Sequence, residues 1–437
     1  MKVAFRIIAF AIAVSVFAGI AVSVFTSCAF KKAPDNKITV WHWMNDRRDA
    51  FKELAKQYEQ IAGIQVEFKL FSPPDIYAQK VIAAARAGRL PDVFGILGEK
   101  KTLAAFIKAK YVLDLTPYMD EEEKAWQKSF YPQALGVIRF KSGNEYAVEK
   151  GIYGVPIDIT VMEFLYNKKL FVQAGLDPQS PPKDFDEFIA YAQKIKKSSA
   201  ADGFVCGWGE GWLLNALATE WAFNLMGEKK FFQTIEGKVP YTDKDWVEVF
   251  SKFADMEKAG ILASDITTMI NKEAEDAFSR GNAAFSFNGS WSINVYKQLS
   301  PDLEYAFFPL PKISQRFPVK IWGGAGSSFM VNAKSPRKEK VINFLKWLTA
   351  KKQQEFLALE TNNLPAIKNC ESGFSDILLS LLEDLNILTH PNIWPQNEDS
   401  RVLEVMNTGL QQIIMGIRTP QEVAQKIQKI KQRILRQ

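Results

Sequence analysis

The chain has 437 residues, of which 47% are hydrophobic and 24% are charged, so it can bury large cores and is expected to form about two or three domains. Its formal charge of +6 is spread along the sequence without a block of like charges, which argues against a nucleic-acid tail or a polybasic membrane patch. The two histidines and three cysteines include no pair with metal-ligand spacing. We therefore expect no zinc site, no cofactor and no histidine-based catalytic triad.

The N-terminus reads as an export signal, because positive charges precede an uncharged apolar run over residues 7–25. Small residues then precede Cys28, which resembles the bacterial lipobox, in which a signal peptidase cuts before a cysteine whose thiol receives lipid. The sequence therefore predicts a signal peptide over residues 1–27 and a lipidated tether over residues 28–36. Ordinary cleavage and an uncleaved membrane helix stay open, because Phe25 stands where lipoproteins usually carry leucine and the run is long enough to span a bilayer. All three outcomes place the body outside the cytoplasmic membrane.

Strands and helices alternate in the first part of the chain. "ITVWHW" is a short apolar strand. The next segment is a helix that ends at Gly63, and its apolar face consists of Phe51, Leu54, Ala55, Tyr58 and Ile61. "IQVEFKLF" alternates as a second strand, a helix through Val81 and Ile82 follows, and "LPDVFGI" supplies a third strand. Such alternation predicts a parallel sheet, with a ligand crevice at the carboxyl ends of its strands.

Later helices carry clear start signals. Asp184 can cap a helix that has a glutamate three residues after the cap, and Ser335 can cap another whose first residue is Pro336. Further amphipathic helices are predicted over residues 245–259 and from Gln421 to the end. Because no Pro/Gly/Ser-rich tether interrupts the chain, its α/β lobes are expected to be joined by strands.

Five sequence blocks, in the expected order, resemble the family 1 extracellular solute-binding proteins, the maltose-binding-protein-like sugar receptors of bacterial ABC importers. Any one block is a weak signal, but five in sequence are a strong one, and the resemblance extends over nearly everything after Lys37. The blocks are "RAGRLPDVFGI", "YGVPIDITVMEFLYNKKLFVQAGLDPQSPPKDFDEFIAYAQKI", "FSRGNAAFSFNGSW", "GGAGSSFMVNAKSPRKEKVINFLKWLTAKKQQEFLALETNNLPA" and "IIMGIRTPQEVAQKIQKIK".

The resemblance implies an α/β, two-lobed periplasmic-binding-protein-like fold of type II. About three hinge crossings would join the lobes, and the ligand would lie in the cleft between them. Lobe one would hold residues 37–158 and 327–362, and a helix-rich lobe two would hold residues 163–322 and 366–437.

On this interpretation, "YGVPIDITVMEFLYN" is the first crossing between the lobes. Pro156 would end strand pairing in one sheet, because proline lacks a ladder donor. Asp158 and Thr160 would lie at the bend, with polar side chains free for the hinge or the ligand, and "MEFLYN" would start pairing in the next sheet.

A neutral polyol requires flat aromatic rings beside planar amides and carboxylates. "WHWMND" offers such residues at the end of the first strand, "GWGEGW" in a glycine-rich loop and "FNGSW" after a strand, where the tryptophan resembles the stacking residue of the family. "WGGAGS" offers backbone amides near a crossing. The predicted ligand-binding residues are Trp43, Asn45, Asp158, Thr160, Glu210, Trp212, Ser290, Trp291, Gly323 and Gly324.

The resemblance implies a non-catalytic receptor that captures a sugar or oligosaccharide, closes, and delivers it to an ABC permease. The receptor is expected to be a monomer that binds no nucleic acid and is held at the cell surface or in the periplasm by its lipid anchor. Two alternatives remain. A secreted hydrolase would use a carboxylate pair, for which Asp158 and Glu210 could serve. The same fold could instead bind a phosphorylated polyol, which would need an arginine-rich cleft, and only Arg47 and Arg48 lie near the candidate residues.

Two cysteines remain after Cys28. The sequence leaves open whether Cys206 and Cys370 form a disulfide or are two buried thiols.

Overall fold

The computed structural model describes residues 36–72, 74–97, 100–144, 146–323, 326–387 and 398–436. The predicted signal peptide, Cys28 with nearly all of the tether, and Gly324 lie outside these residues.

Helices supply most of the ordered structure. In chain order they are α1 (Arg48–Ala62), α2 (Pro74–Arg86), α3 (Lys100–Lys108), α4 (Thr116–Met119), α5 (Glu121–Ser129), α6 (Pro132–Ile138), α7 (Lys168–Gln173), α8 (Phe185–Ser198), α9 (Trp212–Ile235), α10 (Lys244–Lys258), α11 (Asn271–Ser279), α12 (Ser292–Leu299), α13 (Lys338–Leu348), α14 (Lys351–Thr361), α15 (Asp376–Glu383), α16 (Ser400–Ile414) and α17 (Pro420–Leu435). Short 3₁₀ turns lie at Asn45–Arg47, Trp208–Glu210 and Asp384–Ile387.

The strands form two main sheets and two small pairs. In chain order they are β1 (Lys37–His42), β2 (Gln65–Leu70), β3 (Val93–Gly95), β4 (Arg139–Phe140), β5 (Gly151–Ile152), β6 (Val155–Pro156), β7 (Asp158–Ile159), β8 (Val161–Asn167), β9 (Asp202–Val205), β10 (Ala283–Gly289), β11 (Tyr305–Phe308), β12 (Trp322–Gly323), β13 (Ser328–Val331) and β14 (Leu364–Pro365).

The first sheet has the order β2-β1-β3-β13-β6. β1 and β3 run parallel, as the alternation of strands and helices predicts, with Val40 opposite Val93. β13 runs antiparallel to both β3 and β6. The sheet is therefore mixed rather than parallel, because β13 enters it on the chain's return from the second sheet.

The second sheet has the order β11-β8-β10-β9, and β12 also pairs with β8. Every residue of β8 and β10 is buried, which is typical of strands covered by helices on both faces. This burial includes Glu163 of β8, whose carboxylate oxygens have no hydrogen-bond partner among the described residues. Burial raises the pKa of Glu163 well above its ordinary value, because the charged form is disfavoured away from water.

The chain passes between the two sheets at three places within the described residues. The first passage leaves β6 at Pro156, and the second sheet begins at β8. The second runs from β12 back to β13, and the third contains β14, which pairs with β7 of the first passage. The helices before and after this third passage pack against different parts of the fold. α14, before the passage, packs on α1, whereas α15, after it, packs on β11 of the second sheet.

Most predicted helix boundaries are correct, because local capping fixes them. Asp184 accepts a hydrogen bond from the Glu187 amide at 2.9 Å, so it caps α8. The start predicted at Ser335 is wrong, since α13 begins at Lys338. The Ser335 hydroxyl accepts from the Arg337 amide at 3.1 Å, just before the helix, and donates to Asp92 at 2.7 Å.

Two isoleucines of the predicted helices are exposed. Ile82 is 37% exposed because it lies next to the buried Val81 in α2, so the two side chains cannot share one face. Ile61 is 70% exposed because the buried stripe of α1 ends at Tyr58, one turn before Gly63.

Cys206 and Cys370 are both buried free thiols, so no disulfide joins them. Burial raises the pKa of both thiols. Each helix of the described residues is too short or too polar to cross a membrane. The same residues contain no group of three or more acidic, histidine or cysteine side chains placed to hold a metal ion.

Candidate functional site

Two tryptophans form an aromatic pair beside the second sheet. Trp212 begins α9, and Trp291 follows β10. Their ring centroids are 6.0 Å apart and their planes are inclined by 45°, and both side chains are half-buried. Glycine is required at position 289 for this placement of the Trp291 ring, because a Cβ atom there would collide with the ring.

A carboxylate holds each indole of the pair. Trp212 donates from Nε1 to Oε2 of Glu210 at 3.0 Å, and Trp291 donates from Nε1 to Oε1 of Glu275 at 3.3 Å. Glu210 is exposed, whereas Glu275 on α11 is only 7% exposed. The rings are therefore held in place by bonds that do not involve a ligand.

Glu275 accepts two further hydrogen bonds on the same oxygen. The amides of Asn271 and Asn288 donate to Oε1 at 2.8 Å and 3.1 Å. Burial raises the pKa of Glu275, although these donors and the Trp291 indole counteract the shift. No sequence signal pointed to Glu275, because it lies in an acidic helical segment beside Glu273 and Asp276.

Three other predicted residues meet around Val161 at the first crossing. Ser290 is fully buried, its amide donates to the Val161 carbonyl at 2.9 Å, and its hydroxyl accepts from the Val161 amide at 3.4 Å. Gly323 lies opposite Val161 in the β12–β8 pair. Thr160, the residue before Val161, is half-buried. Ser290 therefore uses its polar atoms within the protein.

Asp158 is engaged in a buried ion pair rather than free. Its carboxylate accepts hydrogen bonds from the Arg47 guanidinium and from the Ser327 amide, the latter at 2.6 Å. Asp158 and Arg47 are 2% and 4% exposed. Burial opposes the charge on Arg47, but the carboxylates of Asp158 and Asp46 outweigh it and raise the pKa of the guanidinium.

The same network reaches all three passages between the sheets. Arg47 also donates to the Ser327 hydroxyl at 3.0 Å and to Asp46 at 3.3 Å. Asp46 accepts from the Asn363 amide at 2.8 Å. The first passage contributes Asp158, the second Ser327 and the third Asn363, so Arg47 bonds directly to the first two passages and through Asp46 to the third.

The remaining predicted residues lie at the carboxyl end of β1. Trp43 is half-buried against Tyr77, with ring centroids 5.2 Å apart. Asn45 is exposed and donates to the Ser72 hydroxyl at 2.9 Å. The predicted residues thus form three groups. The first is Trp43 with Asn45, and the second is Asp158 with Thr160, Ser290 and Gly323. The third is Glu210 with Trp212 and Trp291.

Curated relatives of this chain are named as binding proteins. A "Multiple sugar-binding protein" of Streptococcus mutans is 25% identical over 336 residues, which are 73% of this chain and 72% of the relative. An sn-glycerol-3-phosphate-binding periplasmic protein of Yersinia pestis is 24% identical over 328 residues, which are 71% of this chain and 70% of the relative.

Solved structures share the fold. A structure from work on xylan utilization by Caldanaerobius polysaccharolyticus superposes with a TM-score of 0.76 at 21% identity, covering 90% of this chain and 99% of that one. The fold is therefore that of a type II periplasmic binding protein. The profile of the family described as "Bacterial extracellular solute-binding protein" matches residues 44–355. Because that match spans well over half of the 437-residue chain, the chain belongs to the family of bacterial extracellular solute-binding proteins.

Proposed function

We propose that this chain is the extracytoplasmic receptor of an ABC importer, and that it captures a neutral sugar or oligosaccharide without catalysing a reaction. The observation that supports a sugar as the ligand is the Trp212–Trp291 pair with its two carboxylates. Apolar C–H faces of a sugar ring stack on indoles, and sugar hydroxyls donate to carboxylates. The sugar-binding relative in Streptococcus mutans supports the same ligand class.

The affinity needed is attainable from such a site. A micromolar dissociation constant corresponds to about 8 kcal/mol of net binding free energy. Two rings that are already held in place lose little conformational freedom on binding, so more of their interaction energy remains as affinity. The carboxylate bonds to both indoles supply this preorganisation.

We further propose that ligand binding closes two lobes about the three passages. Lobe one comprises residues 37–158 and 327–362, and lobe two comprises residues 163–322 and 366–437. Strand pairing supports these limits, since pairing in the first sheet ends at Pro156 and pairing in the second begins at Val161. In this proposal Asp158, the last residue of the first segment of lobe one, acts at the hinge and not on the ligand, because Arg47 and Ser327 occupy its carboxylate.

A phosphorylated polyol is the second candidate, because one relative is named for binding glycerol phosphate. Such a ligand needs cationic donors. Arg47 is buried against two carboxylates, and Arg48 pairs with Asp49 at 3.2 Å. These bonds favour the neutral sugar. The carboxylate pair of a hydrolase is not supported either, because the ion pair with Arg47 removes Asp158 from that role.

A thermal-shift screen tests the proposed function. Maltotriose, xylotriose, triacetylchitotriose, their monomers and sn-glycerol 3-phosphate would each be added to the purified protein. A ligand at a hundred times its dissociation constant stabilises the folded form by about 2.7 kcal/mol, which raises the melting temperature by several degrees. We expect a shift with at least one neutral saccharide. A shift with the phosphate ester alone would reject the neutral-sugar assignment.

We also propose that Cys28 is lipidated and that the mature chain is a monomer held at the membrane. The sequence around Cys28 supports this anchor. The substitution Cys28→Ser is expected to release the protein into the soluble fraction, measured by fractionation and by intact mass. Continued membrane retention without lipid mass would favour the uncleaved apolar helix.

A further inference from the structure

Hydrogen bonds run without interruption from one indole of the pair to the other. Glu210 holds Trp212, and its second oxygen accepts from the Asn271 backbone amide at 2.8 Å. The Asn271 side chain donates to Glu275 at 2.8 Å, and Glu275 holds Trp291. Asn271 is therefore the link between the two carboxylates.

The place of Asn271 in the fold explains this geometry. It is the first residue of α11, where backbone amides have no partner within the helix. Glu210 approaches from a separate turn and accepts one of these amides, at the end of the helix that favours negative charge. Because Glu275 lies one turn farther along α11, the position of the helix fixes both carboxylates together.

We propose that Glu275 and Asn271 are positioning residues of the binding site, which set the angle between the two indoles from behind. This inference rests on the proposed function, because it assigns the residues that preorganise the same aromatic pair. Glu275 is suited to the role, since its Oε1 accepts hydrogen bonds from Asn271, Asn288 and Trp291. The two residues act through the indoles and not through the fold as a whole.

Loss of the Glu275 carboxylate is expected to weaken binding. The substitution Glu275→Gln should lower the affinity for the saccharide found in the screen about tenfold, the usual cost of a hydrogen bond to a charged group. Asn271→Ala should have a smaller effect in the same direction, because its backbone amide still reaches Glu210. Asp276→Asn is the matched control, since Asp276 lies on the same helix and bonds to Arg280 at 3.1 Å.

A double substitution separates positioning from a purely structural role. Phenylalanine keeps an aromatic ring but lacks the indole N–H, so Trp291→Phe removes the bond to Glu275. If Glu275 acts through that bond, Glu275→Gln should cost almost nothing further in the Trp291→Phe background. An equal loss of affinity in both backgrounds would overturn the proposal.

A ligand-free readout keeps the inference independent of the identity of the sugar. Two indoles 6.0 Å apart couple in the ultraviolet and contribute a circular-dichroism couplet, which Trp291→Phe should abolish. Glu275→Ala should reduce the couplet and Asp276→Asn should not. An unchanged couplet in Glu275→Ala rejects the positioning role, whereas a wild-type protein that binds no saccharide rejects the proposed function.

Discussion

The substitution Trp291→Ala is expected to weaken saccharide binding about a hundredfold, or by about 3 kcal/mol, while the protein stays folded. Buried tryptophans at binding surfaces commonly carry losses of this size when truncated. The Trp291 ring is half-buried, and its centroid lies 6.0 Å from that of Trp212. Its removal therefore takes away one of the two stacking surfaces and leaves Trp212 without its neighbouring ring. Calorimetric titration with the saccharide from the screen measures the loss.

The control is a tryptophan of similar burial elsewhere. Trp347 on α13 is also half-buried, and it packs against Tyr58 with ring centroids 4.9 Å apart. Trp347→Ala should lower the melting temperature and leave the affinity unchanged. Equal affinities for the wild type and Trp291→Ala would remove Trp291 from the site.

The second large effect concerns the ion pair at the passages between the sheets. Arg47→Met is expected to lower the free energy of unfolding by about 3–5 kcal/mol, because it leaves the buried carboxylate of Asp158 without its partner. Asp158→Asn should also destabilise, since the buried guanidinium loses a charge partner. The double substitution should cost less than the sum of the two, because neither uncompensated charge remains. Denaturant unfolding measures all three.

Arg48→Met provides the matched control for the ion pair. Arg48 is the next residue, it is exposed, and its bond to Asp49 lies in water. This change should leave the unfolding free energy almost unchanged. An Arg47→Met protein as stable as Arg48→Met would show that the buried pair does not hold the passages together.

The fold was predictable where the signals are local. Asp184 caps its helix through a residue three positions away, and Gly63 ends α1 with a φ of 66°. Pro156 is the last residue of β6 and marks the start of the first crossing in the sequence, although the Ile157 amide still donates to the Ser327 carbonyl at 2.8 Å. The mixed sheet was not predictable from alternation, because strand direction depends on the return of the chain from the second lobe.

Tertiary contacts that the sequence does not reveal set the surroundings of two residues singled out from local patterns. Ser335 has the pattern of a helix cap and accepts from the Arg337 amide at 3.1 Å, but its hydroxyl also bonds to Asp92, 243 positions away, and the helix begins only at Lys338. Asp158 has the pattern of a free polar side chain at a bend, but Arg47, 111 positions earlier, occupies it. Neither partner can be identified from spacing within one segment.

The candidate site was predictable in part for the same reason. Glycines next to Trp212 and near Trp291 in the sequence single out both tryptophans as candidate binding residues. Glu275 carries no such mark, because its role depends on Asn288 and Trp291 approaching from another strand end. Loop aromatics can thus be found from sequence, whereas the side chains that position them require the structure.

Calorimetric titration of the wild type and Trp291→Ala, with neutral saccharides and with sn-glycerol 3-phosphate, tests the sugar-receptor assignment most directly. We predict that a neutral saccharide binds the wild type with a dissociation constant of about 1 μM or below, that Trp291→Ala binds it about a hundredfold more weakly, and that the phosphate ester gives no heat of binding. Tight binding of the phosphate ester that survives Trp291→Ala would contradict the assignment.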